Sequence, residues 1–418
     1  MLNILNNYVF LLFLTTLALS DNLVLFFISW VGLNISLYGI LLKSFNSYNI
    51  EITLKYFISG SIITIFLLFS MLLFFIDYFS FNLNNTCYLY FNSENLQNIV
   101  MNLFISKFQK LYYMILIFSL LFKLGSFPFH FYISEIYESL DIKKIMFLYT
   151  VVLKIAIFIT LLRFLNNFWF LNNIASDLLF CSGIGSVFIG SFSIIKQFKI
   201  KKFFSFSYLN SIGYIILSLA SGISSDFGEL SFYTAKVYFF TYILTWLGFF
   251  DILFSVRFNN RLKLTEIFYM SDLTFIKNNY HNQPIFNLKI SILILTLSLM
   301  GLPPTFGFFS KTIFFLELVS NYSSIPIFIF ILFLTPIVSF GYLRLLVYLL
   351  FPLKKNYFID NFTSIEIVGN YSKIKESIFI KDRFTNLFDF KKITQFIIIL
   401  PILCYIYEKN QIFSFYLL

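Results

Sequence analysis

Apolar runs of about 20 residues, the length a helix needs to cross a bilayer core, recur from one end of the 418-residue chain to the other. Only 12% of the residues are charged and 59% are hydrophobic, whereas a soluble domain carries about 25% charge. The chain therefore reads as an all-α, polytopic membrane protein. Reading each run in turn places about eleven spans, near 4–20, 23–44, 53–78, 103–123, 143–165, 174–194, 201–222, 229–256, 286–320, 324–351 and 392–410.

The loops support that count. Lys43, Lys143, Lys144, Lys196, Lys199, Lys201, Lys202, Arg257, Arg261, Lys263, Lys354 and Lys355 all follow even-numbered spans. The opposite side has Asp21, Asp226, Glu229 and a stretch free of Lys and Arg from Phe79 to Ile105, with Lys107, Lys110 and Arg163 as exceptions. The positive-inside rule then puts the N-terminus on the basic side. The net charge of +10 follows from this loop bias and calls for no nucleic acid. Cys87, Cys181 and Cys404 share no metal-ligand spacing and form no disulfide framework. The 62 Phe residues, with abundant Ile, Asn, Lys and Tyr, point to an AT-rich coding genome such as organelles often have. No basic, serine-rich presequence or cleavage site is expected before the first run. Residues 352–391 read as a polar, basic-side insert that packs on a partner or partly disorders, with a last spanning helix in 392–418.

Two runs are interrupted. "LLFKLGSFPFHF" (120–131) sets Lys123 beside Gly125, Pro128 and His130; "LSLMGLPPTFGFFSK" (297–311) sets Gly301, Pro303, Pro304 and Gly307 before Lys311. Proline removes a backbone donor and stops a regular helix. Carbonyls freed in lipid cost several kcal/mol each unless protein or water satisfies them, so each break is expected to line a polar cavity. The breaks fall in the fourth and ninth spans, five helices apart. Because five is odd, two such units in tandem have opposite orientation, the pattern of an inverted repeat with a broken helix in each half. The expected division is 1–165 and 166–351.

Lys55, Lys123, Lys154, Lys236, Lys311 and Glu317 lie within spans, and Lys289 near a helix start. A charge at the bilayer centre costs about 2.5–3.5 kcal/mol on insertion scales. Lys55, Lys236 and Lys289 can snorkel to the surface. Lys123 and Lys311 sit beside the breaks and Lys154 at the centre of its span, so snorkelling suits them less well. Removing an amine from water disfavours its charged form. Lys123, Lys154 and Lys311, linked by water and His130, read as a proton path, with Lys55 a weaker candidate. Glu317 is expected to meet a neighbouring helix or subunit rather than Lys311, and Trp30 to belong to an interfacial belt.

Several stretches resemble the family of subunit 2 of mitochondrial NADH dehydrogenase (respiratory complex I), antiporter-like proton-translocating subunits. "SWVGLNISLYG" is similar to the family's W-x-G-L-E helix and "EITLKYFISGS" to E-A-x-x-K-Y-F, giving Glu51 and Lys55. "FKLGSFPFHFY" resembles F-K-L-x-x-x-P-F-H-x-W and "VVLKIAIF" the lysine helix after it. "GLPPTFGFFSK" resembles G-x-P-P-x-x-G-F-x-x-K, followed by "GYLRLLVYLLF". The resemblance runs from about residue 24 to 351, with the motifs in the family's order.

The resemblance implies a multi-pass subunit of the mitochondrial inner membrane in which Lys123, Lys154 and Lys311 relay protons. It implies no cofactor on this chain, while the complex uses NADH, FMN, iron–sulfur clusters and ubiquinone, with lipids such as cardiolipin at the surface. The implied partners are other membrane-arm subunits, among them a neighbouring antiporter-like one. A small subunit would cover a flank left by about three fewer helices at the front than bacterial relatives have. Two positions depart from the family pattern: Asn34 stands where an acid is expected, leaving a partner subunit, Glu135 or Glu138 to supply a carboxylate near Lys123. In "SYLNSIG", Ser211 stands at the histidine position. A stand-alone cation/proton antiporter and a scaffold that no longer pumps are the alternatives.

Overall fold

The computed structural model describes residues 2–42, 47–78, 99–139, 153–167, 172–223, 228–255, 258–260, 263–265, 270, 283–320 and 324–351. In chain order its helices are α1 (Leu2–Leu19), α2 (Leu23–Leu41), α3 (Ser47–Tyr78), α4 (Ile99–Leu124), α5 (Phe131–Ser139) and α6 (Leu153–Asn167). They continue as α7 (Asn172–Lys196), α8 (Ile200–Ile223), α9 (Gly228–Ser255), α10 (Gln283–Met300), α11 (Phe306–Ser320) and α12 (Ile325–Leu350). The all-α class holds for the described residues, with one small addition. A short antiparallel hairpin, β1 (Phe258–Asn260) and β2 (Lys263–Thr265), lies between α9 and α10, with Phe258 opposite Thr265. The insert at 352–391 and the last expected helix fall outside the described residues.

Among the described residues, five helices are long and apolar enough to cross a membrane by length and composition alone: Leu23–Leu41, Ile50–Ile76, Ala175–Lys196, Ile200–Ser221 and Ile325–Tyr348. Their burial differs for a physical reason. The window in α8 is 94% buried, while those in α3 and α12 are 33% and 28% buried. Between helices in lipid the apolar surface gains little by association, so packing and polar contacts draw helices together. The buried α8 carries Ser205, Ser207, Ser211, Ser218 and Ser221, whereas α3 exposes Leu54, Phe57, Ile58, Ile62, Ile65 and Phe66. Small residues let α7 meet α8 closely: a Cβ on Gly190 would lie 3.1 Å from Asn210 Cα, and one on Gly213 2.9 Å from Val187 N.

Both expected breaks are present, and their local geometry matches. At α4, the Gly125 N–H donates to the Phe122 carbonyl (2.8 Å) and the Ser126 N–H to the Leu121 carbonyl (3.2 Å). At α10, the Gly301 N–H donates to the Ser298 carbonyl (3.2 Å) and the Leu302 N–H to the Leu297 carbonyl (3.2 Å). This is the Schellman arrangement, which places a left-handed residue just past the helix. Gly125 and Gly301 fill that place with φ of 73° and 74°. Pro128 and Pro304 each follow three residues later, before the chain re-enters a helix. Gly307 lies against the Ser298 backbone carbonyl, where any Cβ would collide.

One consequence is measurable. In Gly301→Ala the left-handed backbone alone costs about 1–2 kcal/mol, and the new Cβ would sit 2.5 Å from Lys311 Cδ. Thermal unfolding should show a clear loss of stability, while Leu302→Ala, at a position 44% exposed, leaves the midpoint close to wild type.

Candidate functional site

A helix that stops inside a protein leaves its last carbonyls without intrahelical donors. The Schellman bonds above settle Leu121 and Phe122 at the α4 break, and Leu297 and Ser298 at the α10 break. The carbonyls of Lys123 and Leu124, and of Leu299 and Met300, remain. Lysines take all four. Lys154 Nζ, from α6, donates to the Lys123 carbonyl (2.6 Å) and the Leu124 carbonyl (2.9 Å). Lys311 Nζ, from α11, donates to the Leu299 carbonyl (3.1 Å) and the Met300 carbonyl (2.6 Å). The negative end of a helix dipole favours a cation at this place.

Aromatic rings wall both sites. Lys154 Nζ lies 5.1 Å from the Tyr208 ring centroid, and the Tyr208 hydroxyl donates to the same Leu124 carbonyl. Lys311 Nζ lies 6.0 Å from the Tyr214 ring centroid. Tyr208 and Tyr214 are both on α8, so the most buried helix serves both breaks. At the first break the Tyr132 hydroxyl also donates to the Phe122 carbonyl.

Lys123 occupies the last turn of α4, and its Nζ donates to Asn34 Oδ1 on α2. Trp30, one turn earlier on α2, presents its ring 5.0 Å from that amine. Trp30 is 1% exposed, which corrects the expectation of an interfacial anchor: its ring packs beside a buried amine, where a cation–π contact stabilises charge. The three lysines are 3% (Lys123), 0% (Lys154) and 9% (Lys311) exposed.

Glu135 and Glu138 do not supply an acid to Lys123. Glu135 pairs with Lys55 (3.3 Å), which also pairs with Glu51 (2.9 Å) on the exposed face of α3. Glu138 pairs with Lys199 and with Lys202 (3.0 Å) at the start of α8. Both acids lie on α5 beyond the break, within reach of the basic loops. The structure thus brings Lys123 and Lys154 to one break and Lys311 to the other, and leaves Lys55 in an exposed ion-pair cluster. His130 is half-buried within the first break, its ring beside Phe127 and Phe131. Lys236 is exposed, and the Lys289 side chain lies outside the described residues. Ser211 is buried and donates to the Tyr208 carbonyl of its own helix (2.8 Å), so its hydroxyl serves the backbone.

In the sequence Asn34 stands out as a missing acid; the structure makes it an acceptor. The spacing of Trp30 and Asn34, four apart on one helix face, was the available signal. The roles of Tyr208 and Tyr214 had no such signal. Arg163 explains one exception on the lysine-poor side: it pairs with Asp21 (2.8 Å) and donates to the Ala18 carbonyl (2.7 Å), closing the end of α1 against α6.

Residues 20–337 match the family model described as NADH:quinone oxidoreductase/Mrp antiporter, TM. The chain is 27% identical over 298 residues to NADH-quinone oxidoreductase subunit N of Ruthia magnifica, covering 69% of this chain and 56% of that protein. It is 31% identical over 196 residues to the subunit N of Cupriavidus taiwanensis, covering 46% of this chain and 38% of that protein. The chain thus spans little more than half the length of the curated relatives it matches. Its fold is similar to a chain of respiratory complex I from Thermus thermophilus, with a TM-score of 0.61, 21% identity and 83% and 70% of the two chains covered. It is also similar to a chain of an archaeal membrane-bound sulfane sulfur reductase, with a TM-score of 0.71, 16% identity and 96% and 72% covered. With the match extending over 20–337 of the 418 residues, the chain belongs to the family of NADH:quinone oxidoreductase and Mrp antiporter transmembrane subunits.

Proposed function

We propose that the chain is a membrane-arm subunit of an NADH:quinone oxidoreductase that moves protons through Lys123, Lys154 and Lys311 and carries no redox centre. The observation that carries this reading is the seating of buried lysines on the carbonyls of two helix breaks. An amine held by carbonyl acceptors can keep or lose a proton without losing its place, because neutral –NH2 still donates. Lys154 bonds the backbone of Lys123 itself. Two amines gathered at one helix end couple electrostatically, and a proton on one disfavours a proton on the other. That coupling lets a charge arriving at Lys123 drive a proton onward from Lys154 toward the second break.

In this reading Glu138, between Lys199 and Lys202, faces the basic side from which protons enter. His130 and Lys55 are peripheral to the relay. The two units are 1–165 and 166–351, related as inverted repeats. The subunit 2 motifs and the Phe-rich composition support a mitochondrial inner-membrane origin, with NADH, FMN, iron–sulfur clusters and ubiquinone used by other subunits and cardiolipin at the surface. Its partners would be the other membrane-arm subunits, one of them antiporter-like.

Asn34 and Ser211 favour a second reading, a scaffold that no longer pumps, since neither side chain carries a proton charge. The readings separate in the intact complex reconstituted in vesicles. Lys123→Met, Lys154→Met and Lys311→Met should each lower the protons moved per NADH oxidised. An unchanged ratio in all three would leave the scaffold. A chain isolated without partners that exchanges cations for protons in the absence of NADH would instead be an antiporter.

The polar cradle makes a second expectation. Asn34→Leu removes the acceptor of a buried amine, a loss of about 1–3 kcal/mol. It should lower the thermal stability of the complex and reduce pumping as Lys123→Met does, with Asn34→Asp retaining assembly. Normal stability in Asn34→Leu would mean that the amine finds its acceptor elsewhere.

A further inference from the structure

One buried ionisable group is unused by the lysine relay. Glu317, in the last turn of α11, is 2% exposed. Its carboxylate accepts from the Ser221 hydroxyl near the end of α8 and from the Thr234 hydroxyl near the start of α9. Among the described residues no lysine or arginine lies within ion-pair distance of it. Helix α11 thus holds a cation at one end, on break carbonyls, and an acid at the other, on hydroxyls. Six residues separate them, about 9 Å of helix rise.

Three helix ends meet at Glu317: α8 closes at Ile223, α9 opens at Gly228 and α11 closes at Ser320. The sequence places these ends on the lysine-poor side, beside Asp226 and Glu229. The interval from Lys311 is lined by polar groups. Tyr214, whose ring is 6.0 Å from Lys311 Nζ, packs on Tyr238 with centroids 5.5 Å apart. Tyr238 stands one turn from Thr234 on α9, and Ser218 one turn from Tyr214 on α8. The Ser221 hydroxyl lies within reach of the Ser218 carbonyl (3.0 Å) as well as of Glu317, and its single hydrogen serves one of them at a time. A carboxylate used only to join helices could be replaced by a neutral amide at far lower cost in the membrane, where an ionisable side chain is expensive and marks a pathway.

We propose that Glu317 accepts the proton leaving Lys311 and releases it on the lysine-poor side of the membrane, an inference that rests on the proton-translocating reading. The step balances: the Lys311 ammonium becomes the amine, the Glu317 carboxylate becomes the acid, and the acid then yields the proton to water beyond Ser221 and Thr234. No electron moves. The two hydroxyls hold the carboxylate when it is charged and can turn to accept from it when it is protonated, since a hydroxyl both donates and accepts.

The test uses the intact complex in sealed vesicles, measuring protons moved per NADH for Glu317→Gln, Glu317→Asp and Lys311→Met side by side. Glu317→Gln should fall to the ratio of Lys311→Met while electron transfer in uncoupled membranes continues, and Glu317→Asp should keep more than half the wild-type ratio. Lys311→Met low with Glu317→Gln at the wild-type value would overturn this inference and leave the relay standing. Wild-type ratios in both would overturn this inference and remove Lys311 from the relay. Should Glu317→Gln fail to assemble, infrared difference spectra of turnover decide: the inference requires a carboxylic acid C=O band that shifts in Thr234→Val. A band unmoved by Thr234→Val, or no band at all, would reduce Glu317 to a structural strut.

Discussion

Everything in the interior of this protein turns on the backbone carbonyls that two interrupted helices leave open. In lipid such groups cannot stay unpaired, and an isolated ammonium cannot stay either. Each cost is removed by the other. Lys154 closes the Lys123 and Leu124 carbonyls, and Lys311 closes those of Leu299 and Met300. The equivalent backbone atoms are served from different places: from the following helix at the first break, and from the second half of the same broken helix at the second. The first break therefore gathers two amines and the second gathers one. In the proposed relay this difference would let the two sites hold protons with unequal ease, which a relay with a direction needs.

The remainder of the fold isolates those sites. The outer helices α3 and α12 leave many of their Leu, Ile and Phe side chains exposed, while α8 is enclosed and serine-rich. Most of its hydroxyls are spent on the carbonyl three residues back in their own helix, as with Ser205, Ser207, Ser211 and Ser218. A hydroxyl so occupied makes the interior polar without asking for water. Tyrosines do the longer-range work. Tyr208 reaches the first break and the Tyr214 ring faces Lys311, so one helix ties the two interruptions together.

The sequence revealed the breaks because glycine and proline act there together: Gly125 and Gly301 take the left-handed place past the helix and Pro128 and Pro304 follow, whereas Pro336 alone lies inside α12. It revealed the three lysines because apolar surroundings make an amine conspicuous. It did not reveal what the amines touch. Asn34 looked like a lost acid, and only the approach of α2 to α4 shows it as the acceptor for Lys123. Glu135 and Glu138 looked close to Lys123 along the chain, yet the turn through the break carries them to Lys55, Lys199 and Lys202. Trp30 looked interfacial because hydropathy gives a ring the same value against lipid as against a neighbouring helix. In each case the missing information was which face of a helix meets which neighbour, and one sequence with long apolar runs on every face does not encode that in its periodicity.

The polar groups also differ in kind along the chain's interior, and that difference bears on direction. At the breaks the fixed partners are carbonyls, which only accept, so the site favours a group that always has a hydrogen to give. At Glu317 the partners are hydroxyls, which reverse their role as the carboxyl gains or loses its proton. A lysine on carbonyls keeps its position in both protonation states, and a carboxyl on hydroxyls keeps its position in both. Neither site needs its backbone to move for the charge to change. In the proposed relay a proton would cross from a donor-demanding site to a reversible one while the helices stay packed. The motion would be confined to side chains and water, which suits an interior built from closely packed α7 and α8.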